Sequence, residues 1–225
     1  MGDPGVNLLY RWPDAAHFGR RIPKEKFYEH GTVPTTVREK FVSEVQRITW
    51  SYKLAEATVN LPGSDTVPEI QVFQIDAKGN DVSEPVLTAI DKAIPFPIIF
   101  EITRGAGDSA SVRMVAAHKE LAAGAPKLSA YFTTDWQPAD GNRKPLLAAI
   151  SLLALYTALL EPMTPVAMRP GEDMSEVATR LEKVRKLERE IASLERKLRT
   201  ELQLNRKIEL RRTLKTKQAE LEQQR

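Results

Sequence analysis

From Glu172 to Arg225 the chain has neither glycine nor proline, and this 54-residue stretch constrains the fold more than any other feature. Without those two residues, nothing in it breaks a helix locally. Leu187, Ile191, Leu194, Leu198 and Leu202 recur through it at steps of three and four. That spacing lines one face of an α-helix. The stretch also holds 15 Lys or Arg and 11 Asp or Glu, so the rest of its surface is charged. It reads as one long amphipathic helix or as a helical hairpin. A single helix of ~50 residues would run ~75 Å at ~1.5 Å per residue. Such a helix cannot fold back into a small core along its whole length and needs something to lie against. Those five residues are therefore the candidate partner-binding seam.

The seam is interrupted. Ile191, Leu194 and Leu198 return eleven residues later as Leu202, Asn205 and Glu209, and the apolar phase restarts at Leu210, Leu214 and Leu221. A slip of this kind breaks a regular supercoil. It also fits a helix that bends back, although no Gly or Pro is present to make the turn. Charge is uneven too. The tail nets +4, whereas the preceding 171 residues, with 18 cations and 19 anions, net −1. Between Arg196 and Lys217, nine basic residues meet only Glu201 and Glu209. Arg206, Lys207, Arg211, Arg212, Lys215 and Lys217 are candidate contacts to a nucleic-acid backbone, which would make binding steeply salt-dependent. No aromatic is interleaved with them to stack on bases. Charges beside a heptad-like seam also serve as the solvated shoulders of a coiled coil.

The residues before the tail are numerous enough to bury a core. Residues 1–34 read as an irregular N-terminal arm punctuated by Pro4, Pro13, Pro23 and Pro34, with Tyr10, Trp12, Phe18, Phe27 and Tyr28 to pin it down. Thr36 and Glu39 have capping-box spacing. The helix they open is expected to reach about Trp50, with Val37, Phe41, Val45 and Ile48 on one face, and to leave Trp50, Tyr52 and Leu54 as core or domain-docking residues at its end. Strands are expected over 69–76, 98–103, 111–118 and 127–133, with a short helix over 85–93 and an apolar one over 146–160. In the short helix, Ile90 and Ile94 form the apolar face and Asp91 with Lys92 reads as a surface pair. The strand–helix–strand step favours a parallel pair, and the two later short connections favour antiparallel hairpins. The expectation is an α+β domain over 35–163, with a small mixed sheet of about four strands and packed helices. A linker over 164–171 containing Pro165 and Pro170 follows, then the helical arm over 172–225.

Several chemistries are disfavoured. The chain has no cysteine, so disulfides, thiol catalysis and cysteine-bound zinc are excluded, in accord with a cytoplasmic location. The start, MGDPGVNLLYRWPD, lacks the basic-then-apolar pattern of a secretory signal. The apolar run from Leu146 to Leu160 falls short of the ~20 residues a membrane span requires, and Pro145 and Pro162 close it. His17, His30 and His118 have no metal-ligand spacing, and Gly105 and Gly107 lack the ending of a phosphate loop. No metal or cofactor is therefore expected. A restriction-nuclease-like core would place an acid on one strand, and an acid plus a lysine two residues apart on the next, to hold a divalent metal. Glu101 is followed at 103 by Thr, Glu69 is followed at 71 by Gln, and Asp76 and Lys119 lie on other strands. No catalytic residue is assigned.

Five segments, IPKEKFYEH (22–30), FVSEVQRITWSYKLAEATVNL (41–61), AIDKAIPFPIIFEI (89–102), KLSAYFTTDW (127–136) and ELQLNRKIEL (201–210), carry a family resemblance. Together they resemble an uncharacterised prokaryotic family, a domain of unknown function. It is encoded in defence islands beside restriction-type helicases and DNA methyltransferases. The resemblance implies context rather than a reaction. It points to a non-catalytic accessory or adaptor subunit of an anti-phage complex, docking a helicase, nuclease or methyltransferase through the C-terminal helix. The alternatives are a nucleic-acid-binding module that uses the basic helix on DNA, and a divergent metal-dependent nuclease.

Overall fold

The structure is a computed structural model that describes residues 9–28, 33–120 and 126–225. It divides into two units, residues 1–164 and 165–225. In chain order the first unit contains β1 (Tyr10–Arg11), β2 (His17–Arg21), α1 (Thr35–Glu44), β3 (Val45–Ala55), α2 (Glu56–Val59), β4 (Glu69–Ala77) and α3 (Glu84–Ala93). It continues with β5 (Ile98–Arg104), β6 (Ser111–Glu120), β7 (Lys127–Thr133), β8 (Gln137–Pro138), β9 (Lys144–Pro145) and α4 (Leu152–Leu160). The second unit is α5 (Met174–Thr200) followed by α6 (Leu204–Gln224).

The α+β class holds, but the sheet is larger than the four strands expected. Among the described residues seven strands form it, in the order β2-β3-β4-β5-β6-β7, with β8 pairing the start of β6 beyond the end of β7. The expected parallel pair is β4 with β5, joined by α3, and β5-β6 and β6-β7 are the expected antiparallel pairs. A separate two-stranded pairing brings β1 alongside β9 in parallel. The central strands β4 and β5 are buried on both faces, which explains their near-continuous apolar runs. One face packs Phe73, Ile75, Phe100 and Ile102 against Phe41 of α1 and Val86, Leu87 and Ile90 of α3. The alternate residues Val72, Ile99 and Met114 are buried as well, and α4 packs against β4 through a helix that buries Leu152, Leu155, Leu159 and Leu160.

The missing strands account for most of the corrections. The helix expected to reach Trp50 ends at Glu44, and residues 45–55 form β3 instead. Its buried positions are Val45, Ile48, Ser51 and Leu54, three apart rather than two. Two β-bulges cause this: against β4 the register skips between Val45 and Arg47, and again between Trp50 and Tyr52. Each extra residue flips the alternation, so an irregular strand imitates the spacing of a helix. Trp50, Tyr52 and Leu54 are thus strand residues.

Other boundaries shift for local reasons. The helix α1 starts two residues early, at Thr35 behind Pro34, and the Thr36–Glu39 capping box does not form. The apolar helix starts at Leu152 rather than 146, because the Ser151 hydroxyl accepts the Ala154 N–H at 3.1 Å and caps it there. The N-terminal arm is less irregular than expected, since β1, β2 and two short 3-10 turns lie in it. Asn60 takes a left-handed conformation (φ 53°) to end α2, a position that asparagine tolerates. The candidate His30 lies outside the described residues.

Candidate functional site

The acids weighed for nuclease chemistry are each held in a structural contact. Glu101, on β5, is 6% exposed. Its Oε1 accepts from Trp12 Nε1 at 2.8 Å and from Arg143 Nη1 at 2.6 Å, and its Oε2 accepts from Arg143 Nη2 at 2.9 Å. Arg143 also donates to the Tyr10 carbonyl at 2.9 Å. Burial pulls the Arg143 pKa down, but the Glu101 carboxylate more than offsets this and holds it above the ordinary value. This bidentate pair fastens the β1 segment, with Trp12, to the sheet.

Glu69 and Gln71 stand two apart on β4 and touch: Gln71 Nε2 donates to Glu69 Oε1 at 2.5 Å. Lys53 Nζ lies 2.7 Å from Glu69 Oε2, which gives a role to a lysine that the sequence alone leaves unexplained. Asp76 pairs with Arg47 at 2.6 Å. Among the described residues no group of three or more His, Asp or Glu side chains could hold a metal ion. His17 packs edge-on to Tyr52, and His118 stacks on Tyr156.

The most buried charges are ones the sequence concealed. Asp91, expected on the surface, is 1% exposed and pairs with Lys119 of β6 at 2.7 Å. The three Lys119 N–H bonds go to the carbonyls of Asp91 (2.9 Å), Ile94 (3.0 Å) and Phe96 (2.7 Å). Asp91 Oδ1 is the ion-pair partner beside these three carbonyls. Those carbonyls close the C-terminal end of α3, where a cation is favoured. The Tyr131 hydroxyl donates to Asp91 Oδ2 at 2.7 Å. Burial pushes the Asp91 pKa up and the Lys119 pKa down, against their mutual attraction. One signal was present in the sequence: Asp91 falls in step with Leu87, Ile90 and Ile94 on the apolar face of α3.

The second unit is a hairpin. An Asp173–Glu176 capping box opens α5, with both reciprocal bonds at 2.9 Å. Residues 201–203 then reverse the chain without Gly or Pro. The Glu201 carboxylate accepts the backbone N–H groups of Leu202 and Gln203, both at 2.9 Å, and fills the turn's donors itself. The two helices run antiparallel: Arg180 donates to the Gln224 carbonyl at 3.0 Å, and Lys217 pairs with Glu190 at 3.2 Å. The slip in the seam is this reversal. The apolar stripe of α5 ends at Leu198, and the stripe of α6 restarts at Leu210 and Leu214.

The candidate residues separate accordingly. Leu187 is buried with Val184 and Leu221, and Ile191 packs against that cluster. Leu194 and Leu198 are half-buried. Four of the five seam leucines and isoleucines are thus occupied within the hairpin's own length, while Leu202 stands at the tip, 92% exposed. Two neighbours that sequence reasoning passed over join it: Leu204 (69% exposed) and Ile208 (42%). Of the basic residues, Arg206, Arg211, Arg212 and Lys215 are exposed and Lys207 is half-buried. Lys217 is engaged by Glu190 and Glu220, which raise its pKa. Leu204, Ile208, Arg211, Arg212 and Lys215 follow helical spacing along one side of α6, so an apolar tip grades into a basic stripe.

Among the described residues no helix is long and apolar enough to cross a membrane. A family model described as a domain of unknown function (DUF4391) matches residues 11–221. No curated protein and no solved structure matches the chain.

Proposed function

The chain belongs to this DUF4391 family, and from that premise we propose that it is a non-catalytic accessory subunit that docks a larger protein through the tip of its helical hairpin. The observation that carries the reading is the exposed trio Leu202, Leu204 and Ile208 beside the cations Arg206, Arg211 and Arg212. Large apolar side chains gathered at the end of a charged rod mark an interaction site more often than chance exposure. The surrounding positive charge favours an acidic rim on the partner. A partner of this kind is a DNA-processing protein of a restriction-like anti-phage complex (a helicase, nuclease or methyltransferase), as the family resemblance implies. The non-catalytic part of the proposal draws on Glu101, whose carboxylate is taken up by Arg143 and Trp12.

The seam leucines are poor probes of docking, because changing them opens the hairpin itself. Tip variants separate docking from folding. Tagged full-length protein, expressed in cells of its native host, is compared with Leu202→Asp/Leu204→Asp and with Arg211→Ala/Arg212→Ala. The expected result is that the first variant loses a co-purifying DNA-processing protein and the second keeps it with reduced yield. Retention of the same protein by the tip variant contradicts the proposal.

A further inference from the structure

The open edge of the sheet carries a second surface, remote in sequence from the hairpin. Among the described residues β2 is the terminal strand, its single neighbour there is β3, and all five of its residues, HFGRR, are exposed. Phe18 is 42% exposed and lies on Trp50, with ring centroids 4.1 Å apart. Trp50 in turn stacks on Phe73 at 6.0 Å and 8° between planes, and its Nε1 donates to the Tyr52 carbonyl at 3.0 Å. The platform under Phe18 is therefore fixed from the core outward. Arg20 is the register partner of Trp50, so the two side chains emerge on the same side of the ribbon.

Charge on this ribbon is one-sided. β2 and β3 together carry Arg20, Arg21, Arg47 and Lys53 and no acid. Asp76 and Glu69 of β4 engage Arg47 and Lys53. Arg20 and Arg21 make no ion pair among the described residues, and Arg11 nearby in sequence makes none either. An exposed ring on a rigid aromatic base, with the Arg20 guanidinium on the same side and in no ion pair among the described residues, meets the two requirements of a single-stranded nucleic acid: a face to stack on and a cation for its backbone. The main rival occupant of a free edge is a peptide strand. The edge is unsuited to it, because β2 is bulged between His17 and Arg20, where Gly19 takes φ 64°. Such a bulge interrupts the row of backbone groups that an added strand would pair with.

We propose that the β2–β3 ribbon is a single-stranded nucleic-acid site, with a base stacked on Phe18 and a backbone phosphate held by Arg20, whereas Arg21 leaves the strand on the opposite face. This site is independent of the hairpin tip, so either reading can fail without the other. The test is the anisotropy of a labelled oligothymidine titrated with full-length protein over a range of salt. Phe18→Ala is expected to weaken binding roughly 5- to 150-fold, the range for loss of one stacked base. Phe18→Leu, which keeps apolar cover over Trp50 but removes the ring, is expected to weaken it comparably. Arg20→Gln should reduce the slope of log affinity against log salt by about 0.7. Arg211→Ala/Arg212→Ala should bind like the unaltered protein. Four outcomes overturn the proposal: no binding by the unaltered protein, unchanged binding by both Phe18 variants, an unchanged salt slope in Arg20→Gln, or loss that follows Arg211 and Arg212 alone.

Discussion

Asp91 and Lys119 form an ion pair of 2.7 Å in which neither side chain is more than 1% exposed. Removing two charges from water costs several kcal/mol per ion, and their attraction restores little more than that. What the pair contributes is direction: it fixes the C-terminal end of α3 to β6 through three carbonyls at once. Lys119→Met alone is expected to destabilise the protein by ~3–5 kcal/mol, because Asp91 is left charged and buried. Asp91→Asn with Lys119→Met should recover more than half of that loss. Urea denaturation of the two variants checks this, and a double variant no better than the single one contradicts it.

Tyr156 closes a gap in the sheet. β6 and β7 shift register between Ala117 and Lys119, which leaves backbone groups of β6 without strand partners. The Tyr156 hydroxyl donates to the Ala117 carbonyl at 2.7 Å and accepts the Lys119 N–H at 3.2 Å. Tyr156→Phe keeps the ring and strands both groups, at a cost of ~1–3 kcal/mol. The expected signature in hydrogen exchange is faster exchange of the Lys119 amide.

Glu44 sets an acid limit. Burial pushes its carboxyl upward, but the N–H and hydroxyl of Ser83 and the Lys40 ammonium together hold it below the ordinary value of 4.5. A lowered carboxyl stabilises the fold in full above the unfolded value, and that contribution is lost as pH falls through the folded one. Stability should therefore decline as pH falls below about 4.5. Glu44→Gln should be weaker at neutral pH yet lose less over the same descent, as read from denaturation midpoints across pH.

The hairpin should separate its folding residues from its exposed ones. Leu187→Ala, which empties a buried seam position, is expected to cost the hairpin ~2–4 kcal/mol. Leu202→Asp, at the exposed tip, should change stability by less than ~0.5 kcal/mol. Helical circular dichroism of the full chain during urea denaturation distinguishes them.

What the sequence disclosed follows from regularity. β4, β6 and β7 and the helix α3 were legible because their apolar residues repeat at one period, and β5 because it is dense in branched and aromatic residues. β3 was not, because two bulges turned its period of two into spacings of three, and β1, β8 and β9 are two residues each. The hairpin was legible as a possibility. Its turn was hidden because a glutamate side chain, rather than Gly or Pro, satisfies the backbone there. The candidate docking site moved for the same reason: once the chain folds back, Leu187 and Ile191 face inward and the tip is what remains open. The aromatic edge was missed because Phe18 and Trp50 lie 32 positions apart and meet only through the pairing of β2 with β3.

The most direct test of docking at the tip is site-specific photo-crosslinking in cells of the native host. A photoreactive side chain is placed at position 204 in one variant and at position 187 in another. The account predicts that the probe at 204 captures a larger DNA-processing protein, while the probe at 187, inside the hairpin seam, captures none. Equal capture from both positions, or capture from 187 alone, would contradict it.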